Sequence, residues 1–218
     1  MPRPDPDANA SPGADQHASP GSVLAVMAHP DDAELWAGGT LALHARHAAV
    51  TVAVQRNTPA RLREAAQGAH TLGVRLEVVD ELTPAACVAL CARLRPEVVV
   101  THHVDDVHPD HRRAATAALA AIPEAAITSG HPRRLYTCDS YESLTLRGPV
   151  AAQVIVDITT TFEVKLRALH AHRSQPLDHF GAMAERLARL WGARIGVAYA
   201  EPFTPLPVLG RLPGALHL

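Results

Sequence analysis

Residues 23–40 read VLAVMAHPDDAELWAGGT, an apolar run set directly against a crowd of charge. The first six residues are apolar without interruption and too few for a helix, so they predict a fully buried strand. His29, Asp31, Asp32 and Glu34 follow within six positions, and a helical pattern begins among them, over 33–47. A strand running straight into a helix is the first half of a βαβ unit. Three carboxylates beside an imidazole also pose a chemical question. Either they are solvated turn residues, or something positive sits between them.

The same alternation continues outward. AVTVAV (49–54) predicts a second strand, and PARLREAAQGAHTLG (59–73) a helix closed by Gly73. RLEVVD (75–80) predicts a third strand. A helix opens at Thr83-Pro84, with Thr as cap and Pro at the first position, and runs to about Leu94. EVVVT (97–101) predicts a fourth strand. Strands and helices alternating through short loops imply an α/β fold. The expectation is a Rossmann-like three-layer αβα sandwich with a mainly parallel sheet and right-handed crossovers. Further on, the patterns predict a helix over about 110–121, strands near 134–141 and 151–159, and helices near 160–172 and 178–193. Residues 1–21, rich in Pro, Asp, Ala and Ser, read as a disordered tail. Residues 22–203 read as a single domain and 204–218 as a Pro-rich C-terminal extension, and EPFTPLPVLGRLPGALHL (201–218) is expected to lie over the surface as coil.

The totals exclude several classes of function. The chain has 218 residues and is 47% apolar, enough for one large core. Lys+Arg is 20 against 22 Asp+Glu, which leaves no basic footprint for nucleic acid. No apolar stretch approaches the roughly 20 residues of a membrane span, and the N-terminus lacks the apolar segment of a secretory signal. A cytoplasmic protein is expected. The odd cysteine count, Cys87, Cys91 and Cys138, argues against a disulfide framework. Cys87 and Cys91 share a helix face and read as small buried apolar residues.

In parallel sheets of this kind, ligands bind beyond the carboxyl ends of the strands. Two polar clusters stand there: His29, Asp31 and Asp32 after strand one, and THHVDDVHPDH (101–111) after strand four. The second offers His102, His103, Asp105, Asp106, His108, Asp110 and His111. Imidazole plus carboxylate suits Zn²⁺, whose catalytic sites keep three protein ligands and one place for water. A spare carboxylate alongside can take a proton as general base. Adjacent Asp residues on an extended loop point opposite ways, so one can bind metal while the other faces water. The spacing alone does not choose among the histidines, and it does not forbid a second metal.

HPDDAELWAGGT and HPDH are similar to the paired motifs of the LmbE/PIG-L-type zinc N-deacetylases. The resemblance continues in RLREAAQGAHTLGV (61–74), in DITTTFEVKLRALHAHRSQ (157–175) with its H-x-S-Q, and in YAEPF (199–203). It implies one zinc, or another divalent ion, held by His29, Asp32 and His111. It implies Asp31 as general base, His108 as the group that stabilises the oxyanion, and Asp110 as the residue that orients an imidazole. Arg61 matches an arginine linked to substrate binding, and His172 the histidine of H-x-S-Q. Trp36 stands where the family commonly has a small residue, and is expected either to stack on a sugar at the mouth of the site or to cover the core. Where relatives carry a longer loop, this chain has only QRNTP (55–59).

Blander readings stand beside these. Asp31 or Asp32 alone is an ordinary N-cap, and Asp110 can cap the next helix. Glu34 reads as a first-turn partner of the helix dipole. His102 and His103 fit a structural role at the strand end. Gly38 and Gly39, inside a helix, cost about 1 kcal/mol each and suggest close packing on a strand. The implied function is hydrolysis of the acetamide of an N-acetylated amino sugar, with a small-molecule conjugate as partner. The composition and short loop are compatible with actinobacterial specialised metabolism, antibiotic biosynthesis included, and the resemblance is compatible with a homo-oligomer. The alternatives are a phosphoesterase-like metal hydrolase and a non-catalytic sugar-binding module.

Overall fold

The computed structural model describes residues 21–213. Apart from Gly21, the expected N-terminal tail lies outside the described residues, as does the end of the C-terminal extension from 214 on.

The first half alternates strictly: β1 (Val23–Met27), α1 (Asp32–Ala45), β2 (Val50–Gln55), α2 (Pro59–Leu72), β3 (Arg75–Val79), α3 (Pro84–Leu94) and β4 (Val98–Thr101). The second half runs α4 (Pro109–Ser129), β5 (Arg134–Thr137), the two-residue strands β6 (Leu144–Thr145) and β7 (Gly148–Pro149), and β8 (Val154–Asp157). It ends with α5 (Phe162–Leu169), α6 (Leu177–Ile195) and β9 (Ala200–Leu206). The main sheet has the order β3-β2-β1-β4-β5-β9-β8. Its first five strands are parallel, and β9 pairs antiparallel with both β5 and β8. The α/β sandwich with a mainly parallel sheet is therefore the observed fold. Among the described residues no helix is long and apolar enough to cross a membrane.

The apolar run of β1 explains the two layers. Successive strand side chains point to opposite faces. Val23, Ala25 and Met27 join a core with Leu35, Trp36 and Leu41 of α1, and with Leu169, Met183 and Leu187 of α5 and α6. Leu24 and Val26 face the other way, against Leu90 of α3 and Ala117, Ala121 and Ile122 of α4. Cys87 and Cys91 lie in this second core as free, buried thiols. Helix punctuation follows the sequence: Thr83 Oγ1 accepts from Ala86 N at 3.1 Å, and Gly73 closes α2 at φ 75°.

Two expectations change. α4 runs to Ser129, past Pro123, because the buried face of Ala114, Ala117, Ala118, Ala121 and Ala125 continues through the proline. The segment expected as coil from Glu201 is a strand as far as Leu206. Residues 200–203 pair with β8 and 204–206 with β5. Each half of β9 has one partner strand, so Pro202 and Pro205 are accommodated despite lacking an N–H donor.

Strand order reverses direction between β1 and β4, which opens a crevice at their carboxyl ends. Both polar clusters empty into it.

Candidate metal centre

Asp32 is the hub of the crevice. It is the first residue of α1 and only 3% exposed. Its Oδ2 accepts from the His29 backbone N–H at 2.7 Å and lies 3.2 Å from both His29 Nδ1 and His102 Nε2. Its Oδ1 lies 3.3 Å from His111 Nε2 and accepts from the Trp36 indole at 3.2 Å. Burial opposes the charge on Asp32, but the His111 and His102 imidazoles outweigh it and hold the carboxyl well below its usual range.

The second cluster arrives from the end of β4 and the start of α4. His108 is the N-cap of α4: its Nδ1 accepts from Asp110 N at 3.1 Å. Asp110 is therefore not the cap. Its Oδ2 sits 3.1 Å from His29 Nε2 instead. His111, in the first turn of α4, is fully buried, and its Nδ1 lies 3.1 Å from Oδ1 of the equally buried Asp106. Burial disfavours a charged His111, yet Asp32 and Asp106 push its pKa up to about 10. A pocket that would hold a buried proton this firmly is built to hold positive charge.

Among the described residues, two sets of side chains have ligand atoms within 4.8 Å of one another, His29 with His108 and His111, and Asp32 with His102 and His111. They share His111. Both its ring nitrogens, and His102 Nδ1 and Asp106 Oδ2, are buried without a well-aligned hydrogen-bond partner. Orphaned imidazole nitrogens around a carboxylate fit a divalent cation, and the N/O donor set suits zinc. The residues present therefore fit the group that the sequence implied.

Asp31 faces the other way from Asp32. It is the N-cap of α1, but its side chain makes no cap bond; it accepts instead from the Arg61 guanidinium of α2. Burial and then the neighbouring Asp32 raise its pKa, while Arg61 and His172 oppose the rise. Arg61 is thus engaged with a carboxylate of the site rather than lying free for substrate.

Two expected substrate contacts do not stand. Trp36 is 1% exposed and donates to Asp32, so it cannot stack on a sugar at the mouth. His172 is fully buried, with Nε2 3.5 Å from Glu34 Oε1. Glu34 is likewise not a solvated first-turn acid. It is 2% exposed, and a Cβ on Gly68 would meet its Oε1 at 2.2 Å. Gly68 lets α2 close over this pair. Glu64 ties the H-x-S-Q segment to α2, accepting from Ser174 N at 2.9 Å and Ser174 Oγ at 2.6 Å.

Sequence reasoning left other members undecided or unseen. His102 belongs to the cluster, stacked on His111 at 4.0 Å. His103 turns away to Thr137, and Asp105 toward Thr145. Tyr141, unremarked in the sequence, lies parallel to the His111 ring at 5.9 Å. Burial, then Asp32, Asp31 and Asp106, push its phenol up to about 12, so it stays protonated. No local pattern marked it, because it comes from the turn after β5. A polar cleft of about 370 Å³ opens beside His29 and Asp110, lined also by Gln55, Arg56, Asn57, Glu81 and Arg113. The short 55–59 segment thus forms part of its wall.

Comparison with known proteins bears on this geometry. Residues 24–122 match the family described as PIG-L, GlcNAc-PI de-N-acetylase. The chain is 33% identical to a 1D-myo-inositol 2-acetamido-2-deoxy-alpha-D-glucopyranoside deacetylase of Saccharomonospora viridis. The alignment covers 49% of this chain and 46% of that protein, so it spans about half the length of that relative. Among solved structures, the 4-carboxy-2-hydroxymuconate hydratase of Pseudomonas putida superposes with a TM-score of 0.74 at 24% identity, covering 90% of this chain and 99% of its own. The N,N'-diacetylchitobiose deacetylase of Pyrococcus horikoshii does so with a TM-score of 0.72 at 21% identity, covering 88% and 85%. At such identities the likeness is one of fold, and this fold serves a hydratase as well as deacetylases. Both loops of the candidate centre lie inside the residues that match the PIG-L family.

Proposed function

We propose that this chain is a metal-dependent amide hydrolase that removes the acetyl group from an N-acetylated amino-sugar conjugate. The observation that carries the reading is the placement of two adjacent carboxylates. Asp32 is surrounded by the imidazoles of His29, His102 and His111, the last two fully buried, while Asp31, one residue earlier, is turned out of that cluster and held by Arg61. Ligand and base are thus separated by one peptide unit. The family match and the deacetylase relative support the choice of an N-acetyl sugar.

In this reading His29, Asp32 and His111 hold one divalent cation, and the donor set favours zinc. The cation supplies Lewis acidity, which acidifies water and polarises a carbonyl. Asp106 holds the Nδ1 side of His111, and Asp110 the Nε2 side of His29, fixing ring orientation as outer partners of metal ligands do. Asp31 takes a proton from the attacking water as the oxygen adds to the acetyl carbon. His108 stands ready as a neutral donor. Burial and the neighbouring His111 and His29 lower its pKa, and its Nδ1 accepts from a backbone N–H, which leaves the ring proton on Nε2. It donates to the oxyanion as charge develops there. When the C–N bond breaks, the proton held by Asp31 passes to the leaving nitrogen, and acetate and a free amine result. The mixed donors and acceptors of the cleft beside His29 suit the hydroxyls of the rest of the conjugate.

The test is a mass-spectrometric screen of N-acetylglucosaminyl conjugates with zinc-loaded protein. Loss of one acetyl group with equimolar acetate, abolished by chelator and restored by zinc, is expected. Phosphate release from phosphoester analogues without acetate release would overturn the reading in favour of a phosphoesterase.

A further inference from the structure

Trp36 stands one turn after Asp32 on α1, so its side chain lies over the same face. The indole Nε1–H donates to Asp32 Oδ1 at 3.2 Å, while Oδ2 accepts from the His29 backbone N–H at 2.7 Å. The carboxylate is therefore gripped on both oxygens, by a local turn on one side and by the next helical turn on the other. The indole is itself confined. It is 1% exposed, meets Tyr141 edge-on at 5.0 Å and lies 6.2 Å from the His111 ring. It has no room to swing away and release the oxygen.

We propose that Trp36 is a positioning residue for the metal centre, fixing the rotation of the Asp32 carboxylate before the cation arrives. This rests on the reading of Asp32 as a metal ligand. A neutral N–H suits the task better than a guanidinium or ammonium. It orders the carboxylate without cancelling the negative charge that attracts the cation, and without placing a second cation beside it in a buried site. Hydrogen bonds from outside the ligand set typically change metal affinity about 10–100-fold. A residue serving only as core filler would alter stability and leave the centre unchanged.

The experiment compares parent and W36F, which keeps an aromatic ring and loses the N–H. Zinc affinity is measured by competition with a chromophoric chelator, and ligand geometry by the visible spectrum of the cobalt-loaded protein. W36F is expected to bind zinc about 10-fold or more weakly, with a shifted cobalt spectrum. Binding within twofold of the parent with the same spectrum overturns the proposal. Should W36F fail to fold, the indole N–H of Trp36 is followed by nitrogen-15 NMR, with the W191F variant identifying its signal. A signal protected from solvent exchange in the metal-free protein, and moved by zinc, supports the proposal; free exchange or indifference to zinc overturns it. If the parent itself binds no zinc, the metal reading fails together with the proposal.

Discussion

Arg61 and Asp31, thirty residues apart in the chain, meet as a partly buried ion pair between the N-terminus of α1 and the first turn of α2. The arginine side chain is 19% exposed and the aspartate 7%. The pairing makes Arg61 a direct partner of the proposed base. Arg61→Met is expected to lower kcat about 10–100-fold while KM stays within about threefold, the pattern of an interaction that acts on the reacting group rather than on ground-state binding. A large rise in KM at unchanged kcat, seen in steady-state kinetics on an N-acetylated conjugate, would return Arg61 to substrate recognition.

Asp31 and His108 carry distinct chemistry and should fail differently from the ligands. Asp31→Asn keeps the volume and an acceptor for Arg61, but removes the base. A loss of about 10²–10⁴ in kcat is expected, with bound zinc unchanged by elemental analysis. His108→Ala removes the oxyanion donor and should cost about 10²–10³. Single-turnover rates check both. Activity within severalfold of the parent in either variant removes that residue from its role.

How much of this was legible follows from range. VLAVMA and the segments after it carry short-range periodicity, and β1 through β4 emerged close to their predicted bounds. The two polar clusters could be brought together from strand order alone, because parallel strands align their carboxyl ends. Burial was harder to read. Glu34, His172 and Trp36 look like surface or site-lining residues in isolation, and each is buried by an element distant in sequence: Gly68 of α2 over Glu34 and His172, and Tyr141 over Trp36. β9 was read as coil because of its prolines, and only pairing one strand at a time makes them tolerable. Gly39 was read correctly as a close approach: a Cβ there would meet Ile158, just beyond β8, at 2.7 Å.

Asp139, after β5, gives the fold a pH signature away from the centre. Burial raises its pKa from 3.8 to about 6, against the opposing hydrogen bonds from Ser140, Ser143 and Trp191. The native state therefore holds a proton that the unfolded chain releases between pH 4 and 6. Over that window the unfolded state binds fewer protons, so this group's contribution to stability falls as pH rises and is fully lost above about pH 6. The size is about 2–3 kcal/mol at most. In urea titrations from pH 4 to 7, Asp139→Asn should gain on the parent by that order as pH increases. Parallel curves for the two proteins would show that Asp139 ionises normally.

Glu201 explains why the helix carrying Asp32 stays in place. Its carboxylate pairs with Lys165 of α5 at 2.6 Å and accepts from Gly39 N at 3.0 Å and Thr40 N at 2.8 Å, in the middle of α1. The pair is buried, with side chains 4% and 2% exposed. Removing one member of such a pair strands the other's charge, typically at about 3–5 kcal/mol. The two removals are unequal here. Lys165→Met leaves a carboxylate still held by two backbone donors. Glu201→Gln leaves a buried ammonium beside a neutral amide, whose own N–H group must face either that cation or the α1 donors. Glu201→Gln is therefore expected to lower stability more than Lys165→Met. The double variant should cost less than the sum of the two, because it contains no unpaired charge. Denaturant unfolding of the metal-free proteins measures all three. Equal single losses that add without coupling would mean that the ammonium does little to hold Glu201, and that the backbone donors of α1 anchor it alone.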